Sequence, residues 1–346
     1  MEQDSQEQVP APPTLAVVTR DGAVESSHRG WVAISTASGE LVKALGDPTT
    51  AVWLRSAAKP AQTVVVLESG AGERFDLTDA EVAVMTASHS GEAEHLAVVQ
   101  GLLERLGLSP DDLACGAVPP LDRRTARELE RQGERPSTLH SACSGKHAGM
   151  LAACLAQGLP TDGYWRPEHP LQVRTVERLA ELAGVERTAI RVGTDGCGVP
   201  TFTLPLAALA RSFARFVAAT DGPLARTRAA YGRQPKLAAG TGRPCTTLLE
   251  ISGGRLWAKT GSEGLYCVGL PPAPAFGSEP LGLAVKIEDG STRALPAVLA
   301  AIFDRLGVWT SEQRDQFLER HPTAIRTNQR VVVGEIAAGR GLSLRV

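Results

Sequence analysis

Strand signals gather at both ends of this 346-residue chain, and helical signals fill the middle. Leu15 to Val18 and Trp31 to Thr36 are rich in apolar and β-branched residues, and Ser38-Gly39 turns the second run into Leu41 to Leu45. Towards the other end, Thr246 to Ile251 and Arg255 to Thr260 flank Gly253-Gly254, the signature of a two-residue hairpin. Leu281 to Ile287, Val331 to Ile336 and Leu342 to Val346 read as further strands. Between these ends, Thr78-Asp79-Ala80-Glu81 has the pattern of a capping box. Glu92 to Leu106 stops at Gly107, Leu171 to Leu182 stops near Gly184, and Leu206 to Val217 carries apolar residues at helical spacing. A late helix from Ser291 ends at Gly307. A sheet assembled from both termini, with helices inserted between, is the α+β class. The expected organisation is a tail over 1–13, a sheet region from 14–60 plus 240–346, and a helical region over 61–239, all in one domain.

Composition excludes several functions. Net charge is −2, which favours neither nucleic acid nor an anionic membrane surface. No apolar run approaches the roughly 20 residues that span a bilayer. Residues 1–13 are Gln- and Pro-rich and lack the basic and apolar regions of a signal peptide, so a cytoplasmic protein is expected. The six cysteines form no CxxC pair, and in a reducing compartment they default to free thiols. Cys154 lies in an apolar run and reads as core; Cys245 and Cys267 read as packing around the Lys259 strand, and Cys115 carries no signal.

Lysine is scarce, supplying six of 36 basic residues. Three of the six stand in short motifs that carry nucleophilic chemistry: Ser56-Ala57-Ala58-Lys59, Cys143-Ser144-Gly145-Lys146-His147 and Lys259-Thr260-Gly261. Arginine stays charged in proteins, whereas a desolvated lysine can release its proton, so these positions are candidates for acid–base work. In Ser-x-x-Lys the two side chains share a helix face, and Pro60 suits the first turn of that helix. Ser-x-x-Lys followed by a Lys-Thr-Gly strand gives two of the three signatures of serine β-lactamases and penicillin-binding proteins. Gly261 would let a ligand approach the backbone closely. The third signature, Ser-Asp-Asn, is absent; Ala87-Ser88-His89-Ser90-Gly91-Glu92 is the stand-in, with Ser88 as a proton shuttle or second nucleophile. Ser88 or Ser90 could equally cap the helix near Glu92, and His89 is equally a structural residue.

Cys143 and Cys197, with a nitrogen donor, form a plausible three-ligand zinc site with an open position. Inorganic preference nominates His147 as the nitrogen, and two unrelated free thiols are the alternative. Cys197 sits in the glycine-rich loop Gly193-Thr194-Asp195-Gly196-Cys197-Gly198.

These residues, with Val24-Glu25-Ser26-Ser27-His28-Arg29-Gly30 and Leu54-Arg55-Ser56, resemble the rhizobial-type, zinc-containing L-asparaginases with a serine β-lactamase/glutaminase-like fold. The resemblance implies two serine–lysine pairs, Ser56 with Lys59 and Ser88 with Lys259. It implies zinc held by Cys143, Lys146 and Cys197, displacing His147 from that role. It implies hydrolysis of L-asparagine to L-aspartate and ammonia through an acyl-enzyme, in a homodimer. Ser56 would attack with Lys59 as base, while Ser88 and Lys259 relay protons; which serine attacks stays open. Arg55, Asp195 and His147 are candidates for contacting the substrate, and Arg55 and Asp195 could instead be ion-pair partners. A glutaminase or another amidase of the same fold is the enzymatic alternative, and a zinc-stabilised binding protein the non-enzymatic one.

Overall fold

The structure is a computed structural model that describes residues 11–273 and 276–342. Its strands are β1 (Thr14–Arg20), β2 (Ala23–Thr36), β3 (Leu41–Leu45), β4 (Ala51–Trp53), β5 (Val192–Thr194), β6 (Pro200–Pro205), β7 (Trp257–Thr260), β8 (Leu265–Leu270), β9 (Leu281–Ile287), β10 (Ala324–Arg326) and β11 (Val332–Ala338). The main sheet runs β10-β11-β1-β2-β9-β8-β7 with β3 also on β2, and each of its pairings is antiparallel. It is built from the two ends of the chain, as the α+β reading expects. A smaller sheet, β4-β6-β5, takes two of its strands from the region read as wholly helical.

The long β2 pairs with β1 through Ala23 to Arg29 and with β9 through Gly30 to Thr36. Gly30 sits at the changeover, where a Cβ would lie 2.1 Å from the Lys286 carbonyl oxygen. Both faces of the sheet are covered. On one, the Leu206–Ala218 helix lies against β2, β8 and β9 with Leu209, Ala210, Phe213 and Phe216 buried. On the other, the Pro244–Ser252 and Leu295–Leu306 helices close a core with Val32, Ile34, Tyr266 and Val285. A third core joins the Lys59–Glu68, Asp79–Thr86 and Ser144–Gln157 helices.

Helix ends follow their sequence signals. Thr78 Oγ1 accepts from the Glu81 N–H, and the Glu81 carboxylate accepts from the Thr78 N–H at 2.8 Å. The Pro170–Ala183 and Leu295–Leu306 helices end on left-handed Gly184 and Gly307. The late helix starts at Leu295, four residues beyond Ser291, which instead occupies a turn held by Asp289.

One strand expectation fails. Thr246 to Ile251 belongs to the Pro244–Ser252 helix, and Gly253-Gly254 is its C-terminal stop, with both glycines at positive φ. Cys245, Leu248, Leu249 and Ser252 are buried at helical spacing, and Pro244 occupies the first turn. The paired threonines are tolerated because Thr246 donates to the Gly240 carbonyl and Thr247 bonds His321. Tertiary partners thus override the β-propensity of the run. Cys245 is therefore on a helix, where its sulfur accepts from the Tyr266 hydroxyl. The hairpin that carries Lys259 is β7–β8, turning through Gly261 to Gly264 with Glu263 and Gly264 at positive φ. Leu342 lies in no strand, and 343–346 fall outside the described residues, as does most of the expected 1–13 tail.

Candidate active site

Ser56 lies in a short 3₁₀ turn, Arg55–Ala58, that runs straight into the Lys59–Glu68 helix with Pro60 in its first turn. The preceding Arg55 has φ of 47°, a left-handed conformation uncommon for a residue with a Cβ. It is held there by its N–H donating to Thr201 Oγ1 at 3.1 Å and by its Nε donating to Asp195 Oδ1. Such strained residues cluster at functional sites.

Lys59 is fully buried, and its Nζ reaches three acceptors: the Ala87 carbonyl (2.7 Å), the Ala142 carbonyl (2.8 Å) and Ser88 Oγ (3.2 Å). Ser56 Oγ makes no hydrogen bond to either lysine among the described residues; both amines converge on Ser88 instead. Lys259 Nζ lies 2.9 Å from Ser88 Oγ and donates to the Thr260 carbonyl at 3.0 Å. The two pairs suggested by sequence are therefore one cluster, Lys59–Ser88–Lys259.

Burial lowers the pKa of both lysines by disfavouring the ammonium forms. For Lys259, burial and the neighbouring Lys59 charge bring it down to about 7. Lys59 has three acceptors for three N–H bonds, which suits the ammonium form. Lys259 is then the amine with a free lone pair near neutrality.

Ser88 reaches this position because two helices approach closely behind it. At Gly145, a Cβ would lie 2.3 Å from the Val84 carbonyl oxygen, and one at Gly149 would meet Met85 at 2.9 Å. These glycines bring the end of the Asp79–Thr86 helix against the Ser144–Gln157 helix. At Gly261 a Cβ would lie 2.8 Å from Leu265. There it packs against its own hairpin.

The Cys143 and Cys197 sulfurs and an Asp195 carboxylate oxygen lie within 4.8 Å of one another. Lys146 Nζ approaches Asp195 Oδ2 at 3.6 Å, and Cys197 Sγ lies 3.8 Å from the same oxygen. A hydrogen bond from Cys197 holds Cys143 well below the usual thiol range, while Cys197 is pushed up by the same bond. Burial works against the Lys146 charge, but Cys143, Cys197 and Asp195 outweigh it and raise this amine. Two sulfurs, a carboxylate and a nearby amine at this spacing are a donor set that could hold zinc.

Arg55 and Asp195, the candidate substrate contacts, are ion-paired to each other. His147 is fully buried, and its Nδ1 bonds the Tyr164 hydroxyl at 2.6 Å. Adjacent positions on a helix point in different directions, so Lys146 faces Asp195 while His147 turns towards Tyr164. A cavity of about 240 Å³ is lined by Ser56, Arg55, Cys143, Asp195, Cys197 and Ser262 among others. His147 is not part of that wall. Cys115, which carried no sequence signal, is, as is Ser262; neither stands in a motif that could have exposed it. Cys154 is plain core, and Ser90 caps no helix but donates to the Ala239 carbonyl.

The model of the family L-asparaginase II matches residues 16–338. This chain belongs to the L-asparaginase II family. The match spans both sheet ends and every residue of the cluster, so membership covers the whole site rather than a fragment of it. No curated protein matches significantly. Among solved structures, the family member is similar to Mglu in its native form, with 16% identity and a TM-score of 0.43 over 80% of this chain and 63% of that one. It is also similar to a probable glutaminase from Bacillus subtilis complexed with 6-diazo-5-oxo-L-norleucine, with 13% identity and a TM-score of 0.35 over 81% and 84% of the two chains. The chain thus spans less than two thirds of the length of Mglu. Among the described residues, no helix is long and apolar enough to cross a membrane.

Proposed function

We propose that this protein is an amidohydrolase that converts L-asparagine to L-aspartate and ammonia by serine–lysine acyl transfer. The observation that carries the reading is the Ser88 hydroxyl held between two buried lysine amines, with a second serine, Ser56, lining a cavity. Ser56 is the nucleophile, because it lines the cavity and its hydroxyl makes no hydrogen bond among the described residues.

Ser88 supplies the proton path. Its hydroxyl gives its hydrogen to the Lys259 lone pair and takes one from the Lys59 ammonium, which leaves Lys59 neutral one helical turn from Ser56. Lys59 then accepts the Ser56 proton as Ser56 Oγ attacks the amide carbon. The proton that Lys59 took from Ser56 then goes to the amide nitrogen as the C–N bond breaks, so that the nitrogen leaves as ammonia, and the reverse shift restores the Lys59 ammonium. Water, deprotonated by the same cluster, cleaves the acyl-enzyme and releases aspartate.

Zinc, if held by Cys143, Cys197 and Lys146 with Asp195 alongside, would supply a fixed positive charge that orients the substrate. The chain's own charges would do part of that work. The Arg55–Asp195 pair at the cavity wall offers both signs of charge to the α-ammonium and α-carboxylate of an amino acid.

Ammonia release from asparagine and glutamine, together with the colour change of a chromogenic β-lactam, separates the possible activities. Asparagine is expected to be turned over fastest, and Ser56→Ala to lower kcat by on the order of 10³-fold or more. β-Lactam hydrolysis without ammonia from asparagine would overturn the assignment. For the metal, the Cys143→Ser/Cys197→Ser double variant is expected to remain folded, lose bound zinc by elemental analysis, and show a higher KM. Stoichiometric zinc retained by that variant would exclude these ligands.

A further inference from the structure

The loop Ser88-His89-Ser90-Gly91 is tied to the start of the Ser144–Gln157 helix by one side chain, His89. His89 is fully buried. Its Nδ1 accepts from the Gly91 N–H at 3.2 Å, so the ring hydrogen resides on Nε2. Nε2 lies 2.9 Å from Ser144 Oγ, whose own hydrogen goes to the Leu139 carbonyl at 3.0 Å, so the imidazole donates and Ser144 accepts. The donor and acceptor pattern therefore admits one neutral tautomer. Burial, which pushes His89 well below the usual imidazole range, keeps it in that state. The ring also stacks on His95, at 5.0 Å between centroids and 17° between planes, and His95 is anchored to the Lys236 carbonyl.

The two segments that His89 joins carry the two halves of the site. Ser88 precedes it in the chain, and Ser144 lies between Cys143 and Lys146. Lys59 also bridges the two segments, bonding Ala87 and Ser88 on one side and Ala142 on the other.

We propose that His89 is a positioning residue: its Nε2–H bond to Ser144 sets the distance of Ser88 from Lys59 and Lys259, and so the efficiency of the proton relay. This rests on the serine–lysine reading for its effect on rate, but the brace itself can be measured without any substrate. His89 touches neither lysine by hydrogen bond, so its influence passes through the Ser88 backbone.

The test compares His89→Leu, which removes both bonds, with His89→Gln, whose amide can restore the donor to Ser144, and with Ser144→Ala, which removes the acceptor. Hydrogen exchange over residues 88–92 reports the brace, and kcat and KM for asparagine report its consequence. His89→Leu and Ser144→Ala are expected to speed exchange in the loop and to lower kcat by on the order of 10²-fold, the effect of a displacement of about 1 Å, with KM within about threefold. His89→Gln should recover most of the lost kcat. Unchanged loop exchange in His89→Leu, unchanged kcat in that variant, or a Gln variant no better than Leu would each overturn the proposal. A wild-type protein that hydrolyses no amide would overturn the functional reading instead, and loop exchange would still decide the brace.

Discussion

Lys259→Met will abolish turnover and, at the same time, raise the melting temperature. The side chain is 1% exposed, and its amine titrates at about 7 instead of near 10.5. Between those two values the unfolded chain binds more protons than the folded one. Stability therefore rises with pH across that window, and the full cost of burying the amine is present below pH about 7. At about 1.4 kcal/mol per unit, the cost near neutrality is on the order of 4 kcal/mol. Methionine matches the length of the stem, carries no charge, and also removes the repulsion felt by Lys59.

The catalytic loss has the opposite origin. Ser88 would have no lone pair to receive its hydrogen, and kcat should fall by on the order of 10³-fold or more. In the wild-type protein, activity should climb as pH rises through about 7, because only neutral Lys259 can accept. A methionine variant that keeps a tenth of wild-type kcat, or that melts several degrees lower, would remove Lys259 from the proposed role. The paired outcome is a stability–activity trade-off located at one residue.

Asp195→Asn will destabilise the metal-free protein by about 3 kcal/mol, the usual result of stripping one partner from a buried charge network. The Asp195 carboxylate is shared by Arg55, Lys146 and the Gly196 N–H, and Lys146 itself is almost fully buried. Asparagine keeps the shape and an acceptor but leaves the Lys146 ammonium without its carboxylate. The same substitution frees Arg55, whose left-handed backbone the ion pair helps to hold, so KM for asparagine should rise as well. Chemical denaturation in the presence of a chelator gives the first quantity and steady-state kinetics the second. An unchanged midpoint would show that Lys146 is neutral without metal and that the network stores no charge.

Much of the architecture was legible along the chain because its signals are local. The capping box at Thr78, the stops at Gly184 and Gly307, and the β-branched run ending at Thr36 depend on neighbours within a few residues. The failures occurred where a distant partner decides. Thr246 and Thr247 favour a strand by propensity, yet Gly240 and His321 satisfy their hydroxyls on a helix. Ser291 has the chemistry of a cap, but Asp289 claims its N–H for a turn. β5 and β6 are short, and β6 is held in its sheet by β4, about 150 residues earlier in the chain.

The candidate site divides along the same line. The sequence by itself determined which groups are present: one Ser-x-x-Lys and one Lys-Thr-Gly element, a Ser-His-Ser-Gly-Glu loop, two thiols, and Lys146 in the Cys143–His147 motif. Residue type and short spacing carry that information. Only the tertiary structure decided how they pair. Ser56 and Lys59 share a helical turn, but the Lys59 amine turns to Ser88, because the Ala87 and Ala142 carbonyls offer a buried ammonium the acceptors it needs. Arg55 and Asp195 became partners for a related reason, since neither charge is stable at the cavity wall alone. A buried charge takes whichever partner the packed core brings within reach, and that choice depends on helix spacing set by residues as remote as Gly145 and Val84.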